Sequence, residues 1–172
     1  MALAGALLAI GLYLLGFHSD PDKLGTAQVI GTLGGLIIGT ACITLGIKAR
    51  RAAVPATEEF GYGRALGTGV LVALFAALFG IGTSLLYTTV INPKFIDVIV
   101  QAQVGKLEEK GLSAAQIEGA EKMIRTLSSP GLQSVFNFFG GLLFGTLISL
   151  VSAAFLKRPA TAEALEPPGL AG

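Results

Sequence analysis

The sequence predicts an all-α integral membrane protein with four transmembrane helices and an amphipathic helical hairpin between the third and the fourth. Of its 172 residues, 52% are hydrophobic and 13% are charged, about half the charged content of an ordinary soluble domain. Four stretches contain no Asp, Glu, Lys or Arg, namely 1–19, 24–47, 65–93 and 126–156. A bilayer explains these stretches, because a charged side chain at the centre of a transmembrane helix costs about 2.5–3.5 kcal/mol.

The first span is predicted at about residues 2–17. As a helix it would rise about 24 Å, slightly less than the roughly 30 Å hydrocarbon core. A secretory signal peptide is the alternative, but such a peptide has a positively charged start and a small-residue cleavage site after its apolar run. Here Met1 leads straight into apolar residues, and the run ends at Phe17-His18-Ser19-Asp20. We therefore expect the segment to be retained in the membrane.

The remaining spans follow from the positions at which the apolar runs stop. They are predicted at about 26–47, 65–91 and 131–156. Together with the first span they form a single membrane domain over residues 1–158. The tail at 159–172 is rich in Pro, Gly and Ala and has too little apolar periodicity to fold alone, so we expect it to be disordered.

Lysine and arginine residues beside the span ends predict that both termini lie in the cytoplasm. In that orientation the cytoplasmic flanks carry Lys48, Arg50, Arg51, Arg64, Lys157 and Arg158. The opposite flanks carry Lys23, Lys94 and Arg125. Positive residues accumulate on the cytoplasmic side of membrane proteins. We therefore expect a multi-pass protein of the inner (plasma) membrane of the cell.

The segment 93–128 is the only sizeable polar part of the chain, and its periodicity predicts two amphipathic helices. The first should end near Lys110, because Gly111 suits the left-handed position that closes a helix. Ser113 and Gln116 then match a capping box that starts the second helix. In the simpler interpretation the hairpin only joins spans three and four, whereas in the alternative it docks or senses something outside the membrane.

Small residues at four-residue steps predict where helices pack. They are Gly31, Gly35 and Gly39 in span two and Gly141, Gly145 and Ser149 in span four. Such ridges let helix backbones approach closely in a bilayer. They indicate either packing between spans two and four of one chain or homodimerisation through one ridge. Asn137, about two turns into span four, is costly to leave unpaired and should bond to another helix.

The sequence predicts no enzyme, no cofactor and no metal site. No spacing brings a nucleophile and a base together, and one Cys42 with one His18 cannot supply a zinc site. A net charge of +1 without a concentrated basic face argues against nucleic-acid binding. His18, beside Ser19 and Asp20, is expected to be a solvated imidazole at the membrane interface.

Several short motifs stand at the span boundaries. They are Phe60-Gly61-Tyr62-Gly63-Arg64-Ala65-Leu66, the stretch from Tyr87 to Phe95, Gly111-Leu112-Ser113 with Gln116, Ser129-Pro130-Gly131 and Lys157-Arg158. With the layout of the spans, they make residues 1–158 resemble the bacterial membrane-protein family called domain of unknown function 4199 (DUF4199). The chain differs from that family in lacking basic residues before span one. The resemblance implies no activity and no catalytic residues.

Two functional hypotheses remain. One is a small membrane scaffold or assembly protein that contacts the bilayer and, through its small-residue faces or the 93–128 hairpin, a second copy or another membrane protein. The alternative is an oligomeric pore or carrier for neutral small solutes. A carrier of charged solutes is disfavoured, because no span contains Asp, Glu, Lys, Arg or His and no proline interrupts one.

Overall fold

The structure, a computed structural model, describes residues 1–160. Its helices are α1 (Ala2–Leu14), α2 (Leu24–Ala52), α3 (Tyr62–Leu86), α4 (Phe95–Glu109), α5 (Ala114–Leu127) and α6 (Pro130–Leu156). A 3₁₀ turn, Pro21–Lys23, precedes α2, and a π-helical turn, Tyr87–Ile91, extends α3. Within the described residues the fold is helical except for one antiparallel bridge between Phe60 and Arg158. From residue 161 onward the predicted tail lies outside the described residues.

Three helical segments are long and apolar enough to cross a membrane, judged by length and composition. They are Pro21–Ala52, Tyr62–Ile91 and Pro130–Leu156. Large apolar side chains point outward along these segments, and Phe155 of α6 is 82% exposed. An apolar exterior on long apolar helices is the pattern of a protein solvated by lipid. The prediction of an all-α membrane protein is confirmed at this level.

The first helix is shorter than predicted. It ends at Leu14 because Gly16 takes a left-handed conformation with φ +81°. The N–H of Gly16 then donates to the carbonyl of Tyr13, and the N–H of Phe17 donates to the carbonyl of Leu12, both at 2.9 Å. This is the Schellman pattern of helix termination. With 13 residues, α1 rises only about 20 Å.

The chain divides into two compact units, to each of which α2, α3 and α6 contribute. The first unit comprises Met1–Ile38 and Ala76–Gly140. In it α1 lies close against α2, because a Cβ atom placed on Gly34 would stand 2.5 Å from Cδ2 of Leu8. The glycine is what permits this approach.

In the second unit, Gly39–Phe75 with the chain from Gly141 onward, three helices meet at two glycines. A Cβ on Gly69 of α3 would stand 2.5 Å from Oγ of Ser149. A Cβ on Gly145 of α6 would overlap Cβ of Ala73 and lie 3.7 Å from Cδ1 of Ile43. The Ser149 hydroxyl is fully buried and donates to the Gly145 carbonyl at 2.6 Å. At the centre of this unit the helices therefore pack closely around glycines. The Ser149 hydroxyl, which lies there, bonds to its own helix.

The loop between α2 and α3 is held to the end of α6 by Arg158. The backbone N–H groups and carbonyls of Phe60 and Arg158 pair at 2.9 and 2.8 Å. The Arg158 guanidinium also donates to the carbonyls of Val54 and Pro55, at 3.0 and 2.9 Å. Phe60, itself a residue of this loop, is completely buried. Arg158, which in the sequence is one of the basic residues flanking a span, thus holds this loop in place.

Replacing Gly145 with leucine should destabilise the protein, whereas replacing Gly35 with leucine should not. The leucine at 145 would overlap Ala73, and overpacking typically costs about 1–3 kcal/mol. At Gly35 no atom lies within 4 Å of the added Cβ. Thermal unfolding of both variants in the same detergent measures the difference. Equal midpoints would contradict the packing at Gly145.

Candidate functional site

The first unit contains a buried polar junction where several helix ends meet. His18 follows α1, Tyr87 begins the π-helical turn, Asn92 follows that turn and Phe95 begins α4. Nδ1 of His18 lies 2.5 Å from the hydroxyl of Tyr87. The Asn92 amide donates to the His18 carbonyl at 3.2 Å and to the Tyr87 hydroxyl at 3.4 Å. These four residues, the polar junction, tie the end of α1 to the start of α4.

Burial and hydrogen bonding both bear on the protonation state of the polar junction. Nδ1 of His18 and the Tyr87 hydroxyl lie within hydrogen-bond distance, and the Asn92 amide donates to the same hydroxyl. When Tyr87 donates to Nδ1, the imidazole is neutral and carries its proton on Nε2. Burial lowers the pKa of His18 below its ordinary value of 6.5, which favours the same neutral form.

The π-helical turn positions Tyr87 and Asn92. The N–H of Asn92 donates to the Tyr87 carbonyl at 2.7 Å, one residue beyond the α-helical spacing. Such turns occur often at functional sites, because the extra residue changes the direction of the side chains that follow. Here it brings Asn92 back over the helix end, close enough for its amide to reach the Tyr87 hydroxyl.

The expectation of a solvated His18 is wrong. The residue is 8% exposed, and its ring lies 4.9 Å from that of Phe95 and 5.7 Å from that of Tyr87, centroid to centroid. The start of α4 covers it. Sequence reasoning considered His18 only beside its chain neighbours, whereas its partner Tyr87 is 69 positions away. The only signal was the break at Asn92-Pro93, which marks where the chain turns back.

Helices α4 and α5 contact each other beside the polar junction. Arg125 of α5 donates to Asp97 of α4 at 2.8 Å and to Glu121 at 3.4 Å. These acids raise the pKa of the Arg125 guanidinium above its ordinary value. All three side chains are about half exposed, so the ion pairs contribute little stability and mainly orient the helices.

The predicted signals for the end of α4 and the start of α5 are both present. Gly111 is left-handed, with φ +72°, and a capping box joins Ser113 and Gln116. Oε1 of Gln116 accepts hydrogen bonds from the backbone N–H and the hydroxyl of Ser113, both at 3.0 Å. The two helix ends are therefore defined by local hydrogen bonds.

Comparison with protein families decides where the chain belongs. A family model described as "Protein of unknown function (DUF4199)" matches residues 1–158. The chain belongs to this family. The predicted resemblance is thereby confirmed. Comparison with curated proteins and with solved structures finds no significant match.

The predicted packing residues of the DUF4199 chain lie in different environments. Gly145 and Ser149 lie at the closest helix contacts, and Gly39 is buried. Gly31, Gly35 and Gly141 have no atom within 4 Å of an added Cβ. The structure shows further close approaches at Gly34, Gly46 and Gly69. Asn137 is exposed, and its amide donates to the Ser84 hydroxyl at 3.5 Å.

The described part of the chain offers little that could bind a metal ion. No cluster of three or more His, Cys, Asp or Glu side chains occurs in residues 1–160. Cys42 is a free thiol, partly exposed on α2. The polar junction brings several polar groups together, and their hydrogen bonds hold helix ends in place.

The stability of this DUF4199 protein should fall below pH 6.5 through His18. Because burial lowers the folded-state pKa, the unfolded chain binds a proton more readily and gains population as the pH falls. A protonated Nδ1 also can no longer accept a hydrogen bond from the Tyr87 hydroxyl. The stability that neutral His18 contributes is fully present above the pKa of His18 in the unfolded chain. It is lost as the pH falls through the lower pKa of His18 in the folded protein.

Thermal unfolding midpoints at pH 7.5 and 5.5 test this expectation. His18→Asn serves as the matched variant, since its amide oxygen can still accept from Tyr87 but does not titrate. The wild-type midpoint should drop more between the two pH values than the variant midpoint. An identical drop in both proteins would assign the pH dependence to other groups.

Proposed function

We propose that this DUF4199 protein is a small membrane scaffold that assembles with other membrane proteins and carries no catalytic activity or cofactor. The observation that carries the proposal is the outward face of α5. Met123 and Leu127, one turn apart, are 62% and 47% exposed. They form an apolar patch on a helix whose other exposed side chains are largely polar, and such patches on polar helices typically mark interaction sites.

The packing of α4 and the orientation of α5 favour a docking role over a hairpin that only joins two spans. Val98, Ile99 and Val100 of α4 are buried, and α4 contacts the 3₁₀ turn before α2. α5 is oriented on α4 by the Asp97–Arg125 pair. A helix face held in one orientation binds with less loss of conformational entropy than a mobile segment does.

The partner chemistry follows from the position and charges of α5. The helix ends three residues before α6 begins, so its apolar patch lies near the membrane surface. The Glu118–Lys122 ion pair, 3.0 Å between the charged atoms, lies on the same helix. We infer a partner with a membrane-proximal apolar side chain flanked by polar groups, and no nucleic acid.

The scaffold is proposed to cross the membrane four times, with both termini in the cytoplasm of the cell and the α4–α5 hairpin on the opposite side of the inner membrane. The contact of Leu8 with Gly34 supports α1 as the fourth span, because it places α1 alongside a membrane helix. The polar junction supports one membrane side for the end of α1 and the end of α3. The asymmetry of Lys and Arg supports the exterior for that side.

Reporter fusions after residues 20, 55, 110 and 165 test this topology. Fusions at 20 and 110 should report the exterior, and fusions at 55 and 165 should report the cytoplasm. Activity of an exterior reporter at 55 would reverse the orientation. A mature chain beginning near Ser19 would eliminate the first span.

The docking face is tested by changing Met123 and Leu127 together to serine. Proteins cross-linked to the tagged full-length protein in its native membranes should be lost from the variant, because its apolar contact is gone. Ala114→Ser with Ala115→Ser, also at exposed apolar positions of α5, should retain them. Unfolding midpoints near the wild-type value must accompany both results. An unchanged set of cross-linked proteins would leave lipid as the occupant of this face and overturn the proposal.

A second candidate, a pore or carrier for neutral solutes formed by oligomers, is favoured by one stripe on α2. Gln28, Thr32 and Gly35 are exposed at successive turns of the helix. A polar stripe could line a lumen. Gly35→Leu, which should fold, would then change solute flux into liposomes. Unchanged flux would favour the scaffold.

A further inference from the structure

Asn137 presents an amide to the membrane. The residue is exposed on α6, between Phe136 and Phe139, which are 57% and 63% exposed. Exposed phenylalanines on a membrane helix face lipid. The asparagine amide therefore points toward a region where lipid chains offer no hydrogen bonds.

The depth of Asn137 makes this exposure costly. It is the eighth residue of α6, about 10 Å from the start of a helix about 40 Å long. A hydrocarbon core of about 30 Å centred on the helix begins about 5 Å from each end. Asn137 therefore lies about one helical turn inside the hydrocarbon, where unsatisfied polar groups carry their full desolvation cost.

The contacts within the chain satisfy only part of this amide. An asparagine side chain has two N–H donors and a carbonyl acceptor. Among the described residues, the Asn137 side chain makes one hydrogen bond, in which its amide donates to Oγ of Ser84 at 3.5 Å. This distance is at the long limit for a hydrogen bond. The remaining capacity, including the acceptor, is open to the outside of the helix.

We propose that this face of α6 binds a second copy of the same chain, with Asn137 of each copy paired to Asn137 of the other. An amide is complementary to itself, since its donor and acceptor can pair reciprocally with an identical group across a two-fold axis. Two copies in one membrane have the same orientation, so their equivalent residues lie at the same depth. This proposal rests on the scaffold function and specifies one of its partners.

The surroundings of Asn137 fit a close contact between helices. Gly140 lies one turn further along this side of α6, is exposed, and has no atom within 4 Å of an added Cβ. An exposed glycine lets a neighbouring backbone approach, and amides in a helix interface can bond across it.

Dimerisation of the full-length protein in liposomes tests the proposal. Two fluorescently labelled populations are mixed at increasing protein-to-lipid ratios, and energy transfer reports the dissociation constant. Asn137→Leu should weaken dimerisation about five- to thirty-fold, the effect of an interhelical hydrogen bond in a bilayer. Asn137→Gln keeps the amide and should dimerise. Thr146→Val should behave as the wild type, because the Thr146 hydroxyl bonds to Leu142 of its own helix.

Cysteine cross-linking locates the contact independently. In a Cys42→Ala background, Gly140→Cys should form disulfide-linked dimers on mild oxidation. Leu33→Cys, exposed on α2, serves as the control and should not. Unfolding midpoints check that every variant folds.

A wild-type protein that stays monomeric at all ratios, or Asn137→Leu dimers as tight as the wild type, would overturn the proposed interface. Neither result changes the partner capture that depends on Met123 and Leu127. Conversely, loss of that capture with Asn137-dependent dimers intact would reject the α5 docking face and retain this interface.

Discussion

The hydrocarbon interior of a bilayer offers no hydrogen bonds, and this constraint governs where each polar group of the DUF4199 chain lies. Charged residues are absent from four long stretches, and several hydroxyls within the helices bond to their own backbone. Ser149 donates to Gly145, and Thr146 donates to Leu142. A hydroxyl satisfied in this way adds no cost to burial, so helices can pack through small residues.

Several polar groups that find partners in another segment lie at helix ends. The polar junction is one such place, where His18 and Tyr87 share a hydrogen bond and Asn92 donates to both residues. The Arg158 loop is another, where a guanidinium donates to two carbonyls of the loop. Both use side chains to satisfy backbone or buried groups at points where a helix stops. They tie segments distant in sequence without placing charge inside the bilayer.

The same constraint makes an outward-facing polar group on a membrane helix unfavourable unless it finds a partner. On a soluble protein an exposed asparagine or a glycine with open space is solvated by water and needs no explanation. On a membrane helix each is surrounded by lipid, and an amide such as Asn137 gains from a protein partner. The α5 face presents the opposite case, with apolar Met123 and Leu127 exposed on a largely polar helix. These two mismatches between side chain and surroundings define the surfaces through which the scaffold is proposed to assemble.

The sequence alone determined the membrane class, the long spans, the capping box at Ser113 and the left-handed Gly111, because hydropathy and helix capping depend on residues close together along the chain. Only the tertiary structure decided that His18 is buried against Tyr87, that Arg158 closes a loop, and that Gly69 lies against Ser149 while Gly35 is open. A glycine ridge looks the same in sequence whether it faces a helix or lipid. Which face meets a neighbour depends on helix rotation and on contacts between residues such as His18 and Tyr87, 69 positions apart, and local sequence does not encode either of these.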